Sequence, residues 1–150
     1  MLRDSLGDML DDIVRSAAKL LDAPVHQEAG SWFIDAWVFL DPHDEGAEPR
    51  RQIVQLFGGE SNDLLYLAST IGPHEDGLDL APLLRQMIGA LHCSLYLSKP
   101  DAEGVEHLKI ASAVETAGLS PERLSHLVRE VGVFADRFEA ELFGPDVDVR

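Results

Sequence analysis

The ten residues Ser31 to Leu40, SWFIDAWVFL, constrain this chain more than any other segment, because they read as a β-strand that is apolar on both faces. Alternation with a period of two puts Trp32, Ile34, Ala36, Val38 and Leu40 on one side and Ser31, Phe33, Asp35, Trp37 and Phe39 on the other. A strand with one face in a core and one in water alternates apolar with polar residues, so the Phe33, Trp37 and Phe39 face needs a cover. That cover is either the protein's own chain or a partner. Asp35 favours an accessible surface, since an acid inside a dry face would require a compensating group.

The rest of the chain supplies the elements around this strand. Residues 4 to 22 carry Leu6, Met9, Leu10, Ile13, Val14, Ala17, Leu20 and Leu21 at helical spacing, with Asp4 placed as an N-cap. Gln52 to Phe57 and Leu64 to Ile71 form two further strands, joined across GGESND, and with the first they make an antiparallel meander. Asp79 caps a second helix with Pro82 in its first turn and a wide apolar arc of Leu80, Leu83, Leu84, Met87, Ile88 and Leu91. Leu91 to Ser98 and a partner strand around Leu108 to Val114 form a hairpin across KPDAEG. Ser120 caps a last helix that starts at Pro121 and runs to about Leu142, stopped by Gly144 and Pro145. The order helix, three strands, helix, two strands, helix predicts a single α+β domain over residues 1–150, with a five-stranded antiparallel sheet and three helices. The Trp32 face becomes the seat of the first and last helices.

Charge excludes some function classes. The chain of 150 residues has a formal charge of −15, from 27 acidic against 12 basic residues, and its densest basic pair is Arg50 and Arg51. Nucleic-acid binding needs a basic stripe that displaces counterions from phosphates, and a basic amphipathic face is needed at an anionic membrane; neither is present. The acid-rich N-terminus lacks the apolar run of a signal peptide, and no stretch reaches the ~18 apolar residues of a membrane span. A single cysteine, Cys93, cannot form an internal disulfide, so a cytoplasmic location is the expectation.

No catalytic or metal-binding signature emerges. The acidic loops Asp41, His43, Asp44, Glu45 and His74, Glu75, Asp76, Asp79 lack the spacing that sets ligands on one side of a regular element. They read as solvated loops. Cys93 falls on the apolar side of an alternating strand and reads as a small core residue. No GxSxG elbow occurs, and Gly58 and Gly59 lack the lysine and following helix of a phosphate loop. The expectation is a protein that is not an enzyme and holds no cofactor and no metal.

Two segments carry a family resemblance. TIGPHEDGLDLAPLLRQMIGALHCSLYL, residues 70–97, is similar to a pattern of strand, short acidic loop, helix with paired leucines, then strand. GLSPERLSHLVREVGVFADRFEAELFG, residues 118–144, is similar to the closing helix of YbjN-like proteins, with Ala135, Asp136, Phe138 and Glu139 at the matching steps. Together with the order of elements, the size and the acidity, these resemble the type III secretion chaperone-like fold, which includes secretion chaperones and YbjN-like proteins. The resemblance implies a non-enzymatic, dimeric protein that binds an extended or partly unfolded segment of another protein, a secreted effector or a regulatory client. By position it implies a dimer interface at Leu83, Leu84, Met87, Ile88, Leu95 and Leu97. Phe33, Trp37 and Phe39 are the candidate anchors for the partner. The alternative is a YbjN-like regulatory domain that binds a small ligand or ion through the acidic loops.

Overall fold

The computed structural model describes residues 2–38, 50–59 and 62–144. They form one six-stranded sheet in the order β1-β2-β3-β4-β6-β5, with every neighbouring pair antiparallel. The strands are β1 (Val25–Glu28), β2 (Ser31–Val38), β3 (Arg50–Gly58), β4 (Leu64–Pro73), β5 (Ser94–Leu97) and β6 (His107–Glu115). The helices are α1 (Leu2–Leu20), α2 (Ala81–Gln86) and α3 (Pro121–Phe143), and a single 3-10 turn spans Met87–Gly89. The α+β class and the three helices agree with the sequence reading, and the sheet has one strand more than the five expected.

The additional strand is β1, and its shortness hid it. VHQE is four residues long and largely exposed, so it has no apolar periodicity to detect. Its pairing with β2 is enforced by a two-residue turn in which Ala29 and Gly30 have φ of 51° and 81°. Positive φ at both central positions is the turn geometry that matches the twist of a hairpin, and glycine reaches it without a steric cost.

Three other boundaries move. The second helix ends at Gln86 and continues only as the 3-10 turn, so Ala90 to Cys93 form an irregular link into a strand that begins at Ser94. The N-cap position of α2 is Leu80, although the Asp79 carboxylate still accepts from the Ala81 N–H at 3.2 Å. Helix α1 begins at Leu2, which places Asp4 inside it. At α3 the expected cap is present, with Ser120 Oγ accepting from the Arg123 N–H at 3.1 Å and Pro121 where a missing N–H costs nothing.

One face of the sheet makes the core. Trp32, Ile34, Ala36, Val54, Leu56, Leu65, Leu67, Ile71, Leu108, Ile110 and Val114 pack against Leu10, Val14 and Ala17 of α1 and Leu124, Val128, Val131 and Phe138 of α3. Leu83 of α2 reaches the same cluster. Removing this apolar area from water is the main drive for folding, at roughly 25 cal/mol per Å². Directional bonds then set the register of helices on sheet. The Trp32 indole N–H donates to Asp11 of α1 at 2.9 Å, and Arg50 donates to Asp136 and Glu139 of α3 at 2.8 and 3.1 Å. Both α3 carboxylates are buried, so the guanidinium at the start of β3 offsets the cost of desolvating them.

Candidate functional site

With all three helices on the Trp32 face, no described element lies over the opposite one. The register identifies the residues that share this open face. His26, Phe33, Gln55, Ala68, Ala111 and Ser94 stand side by side across the six strands. On one side of that row stand Phe57, Tyr66 and Ala113, and on the other Asp35, Thr70, Lys109 and Tyr96. Trp37 faces Arg51 one step further along β2 and β3. Of the nine Phe, Trp and Tyr side chains among the described residues, five are therefore on the face without helices. Such a face in water is costly unless its rings find partners.

Some of that cost is offset within the face itself. His26 stacks on Phe33 with ring centroids 5.1 Å apart, and Phe57 stacks on Tyr66 at 5.4 Å. The Arg51 guanidinium lies 4.2 Å from the Trp37 ring centroid and donates to Asp35 at 3.1 Å, so one cation serves a ring and a carboxylate. Asp35, the acid that stood out among aromatics, is explained by this pairing. Tyr66 Oη accepts from Asn62 Nδ2 at 2.9 Å, which ties the ring to the β3–β4 turn.

Of the three candidate anchors, Trp37 is 41% exposed on this face and Phe33 is half-buried beneath its histidine neighbour. Phe39 lies outside the described residues, as does the loop with Asp41, His43, Asp44 and Glu45. The structure adds Phe57, Tyr66 and Tyr96 to the face, with a concavity of about 550 Å³ between them, floored by Ala68, Ala111 and Ala113. Partial burial pushes the Tyr96 hydroxyl above its ordinary pKa, since the phenolate would be poorly hydrated there. Period-two alternation marks which residues share a face within each strand. The cross-strand register that brings them together is a long-range property.

The expected dimer residues separate into two sets. Leu83 is core, and Met87 and Leu95 pack against the core from its margin. Leu84, Ile88 and Leu97 are exposed, joined by Leu91, with Ile88 at 95% and Leu91 at 83%. Polar contacts to α3 hold the carrier segment. The Glu130 carboxylate accepts the backbone N–H groups of Leu91 at 2.6 Å and His92 at 3.0 Å, and Glu141 accepts from Gln86 at 2.8 Å. A second concavity of about 700 Å³ lies beside Leu91, walled by Leu127, Val133 and Phe134 of α3.

Two other features bear on chemistry. Burial, helped by the Glu130 carboxylate, raises the Cys93 thiol to about 12, so at neutral pH it is protonated and a poor nucleophile. Among the described residues no three His, Cys, Asp or Glu side chains converge as a metal site, and no helix is long and apolar enough to cross a membrane.

No protein-family model and no curated protein matches the sequence. Solved structures similar in fold include the following two. The crystal structure of YbjN from E. coli superposes with a TM-score of 0.53 at 12% identity, covering 87% of this chain and 90% of that one. A chain of the HopA1-SchA chaperone-effector complex does so with a TM-score of 0.53 at 13% identity, covering 91% of this chain and 94% of that one. At such identities the likeness is one of fold, and it extends over most of both chains. The fold of this protein is therefore similar to that of YbjN and of the matched chain of the HopA1-SchA complex.

Proposed function

We propose that this protein is a chaperone-like, non-enzymatic binding module of the cytoplasm that holds a segment of a partner protein and acts as a homodimer. The observation that carries this reading is the open sheet face, where Trp37, Phe57, Tyr66 and Tyr96 are held on the sheet with no helix above them among the described residues. Rigid aromatics lose little entropy on binding and dominate the energetics of protein interfaces. The fold likeness to a chain of a chaperone-effector complex supports the same reading. The outer edges of β1 and β5, which carry no further strand among the described residues, offer a second mode, in which an extended segment adds as a strand. The exposed leucines and Ile88 beside α2 suit the contact between two copies, since one self-complementary apolar patch is what a two-fold dimer needs.

The experiment is a pull-down from the native cytosol with wild type and a Trp37→Ser, Tyr66→Ser double variant, each shown to be folded by its melting curve. A partner retained by wild type and lost by the folded variant is the expected result. Partner capture that is indifferent to the substitutions, or no partner at all, overturns the reading of this face. Dimerisation is read separately by light scattering, where a mass near the 16.5 kDa of one chain would reject it.

A further inference from the structure

Building on that reading, we propose that the concavity between the Phe57–Tyr66 stack and Tyr96 seats one amphipathic α-helix of the partner, lying across the strands with a carboxylate over Lys109. The dimensions suit such an occupant. Tyr66 and Tyr96 stand two strand spacings apart and four residues out of register, because Tyr66 pairs with Ala113 and Tyr96 with Lys109 on β6. At ~4.8 Å per strand and ~3.3 Å per residue, their Cα atoms are roughly 16 Å apart, which admits a helix of ~10–12 Å diameter. Ala68, Ala111 and Ala113 between them let a helix approach the sheet closely.

Backbone hydrogen bonding argues for a helix over an extended segment at this place. Over Leu65–Ala68 of β4 and Leu108–Ala111 of β6 the backbone is already engaged in ladders on both sides. An extended peptide laid over them would leave its own peptide groups dehydrated and without partners, whereas a helix satisfies its own. The sheet already carries helices on its other face, so a helix here completes a three-layer sandwich.

Charge specifies the occupant further. Lys109 is half-buried, stands in register between Thr70 and Tyr96, and has no ion-pair partner among the described residues. A carboxylate on the helix flank would pair with it, while basic residues on the outer side of the helix would be attracted by the −15 charge of the whole chain.

The test uses a fluorescein-labelled synthetic peptide of roughly 18 residues, five helical turns, with a Leu/Ala stripe, one Glu on its flank and Lys outside. Its controls are the same peptide with a central Pro and an alternating Val/Thr peptide of equal length. The helical peptide is expected to bind wild type, to gain helicity on binding and to lose affinity by at least about tenfold for Ala111→Trp. Lys109→Glu is expected to weaken it similarly, with recovery when the peptide's Glu becomes Lys. Ala113→Trp, at an exposed position, repeats the test should Ala111→Trp not fold.

Equal binding to all variants, or indifference to the central Pro, overturns the proposal. So does preferential binding of the alternating peptide, which would leave the partner-binding reading standing with an extended segment in place of a helix. A change in self-association on Ala111→Trp would assign the face to a second copy and also overturn it. Failure of both peptides to bind overturns the helix proposal alone, because the pull-down judges the broader reading independently.

Discussion

The Arg51 guanidinium lies 4.2 Å over the Trp37 ring while donating to Asp35 at 3.1 Å, so one side chain stabilises both unusual residues of the β2 outer face. Because Arg51 is exposed, the expected contribution of this pairing to stability is small, under about 1 kcal/mol for Arg51→Ala. Its consequence is local: tryptophan fluorescence should shift and become more accessible to acrylamide on substitution, while the melting temperature stays within a few degrees.

The two tryptophans of one strand should differ sharply. Trp32 is 5% exposed and bonded to Asp11, whereas Trp37 is 41% exposed. Urea denaturation should show Trp32→Ser losing about 3–5 kcal/mol and Trp37→Ser less than about 1 kcal/mol. Similar losses from both would mean that the Phe33–Trp37 side is also core.

Asp11 links pH to the seating of α1. Its carboxyl is held below the ordinary value of 3.8, chiefly by the Trp32 indole N–H and then by Arg15. A carboxyl lowered on folding contributes stability that is fully present above its unfolded value and is lost as pH falls through its lower folded value. Denaturation midpoints measured from pH 6 down to about 2.5 should fall more steeply for wild type than for Asp11→Asn. Parallel curves would show that the bond does not titrate.

Arg50 neutralises two buried carboxylates, Asp136 and Glu139, across the join between β3 and α3. Arg50→Met should cost on the order of 3 kcal/mol, because charges buried with a cation are left without it. Adding Asp136→Asn and Glu139→Gln to that variant should restore part of the loss, a coupling that a double-mutant analysis of urea midpoints would detect.

Gly72 sits at the register shift between Thr70 and Gly72, where a Cβ would come within 2.5 Å of the Phe143 ring. Gly72→Ala should therefore destabilise by about 1–3 kcal/mol, and Phe143→Ala should reduce that penalty by making room. Additive losses in thermal melts would show that the close approach is not the cause.

Much of the fold was readable in the chain because its signals are local. The stripes Leu10, Val14, Ala17 and Leu124, Val128, Val131 have a period that only a helix satisfies, and Ser120 with Pro121 marks a helix start by its own chemistry. The strand β1 lacked any such signal, being short, polar and exposed, and its order derives from the ladder it forms with β2. Likewise the apolar arc from Leu80 to Leu91 read as one helix, but only Leu83 finds a core to enter, and beyond Gln86 the chain tightens and leaves Ile88 and Leu91 outside.

The strand SWFIDAWV illustrates the division between sequence and tertiary structure. Alternation alone determined which of its residues share a side, since the pleat allows no other arrangement. Only the tertiary structure decided that the Trp32 side is core and the Trp37 side is open, because that depends on where α1 and α3 pack. Only it decided that Phe57, Tyr66 and Tyr96 join Phe33 and Trp37 on one surface, because register between strands far apart in the chain is set by the packing of the whole sheet.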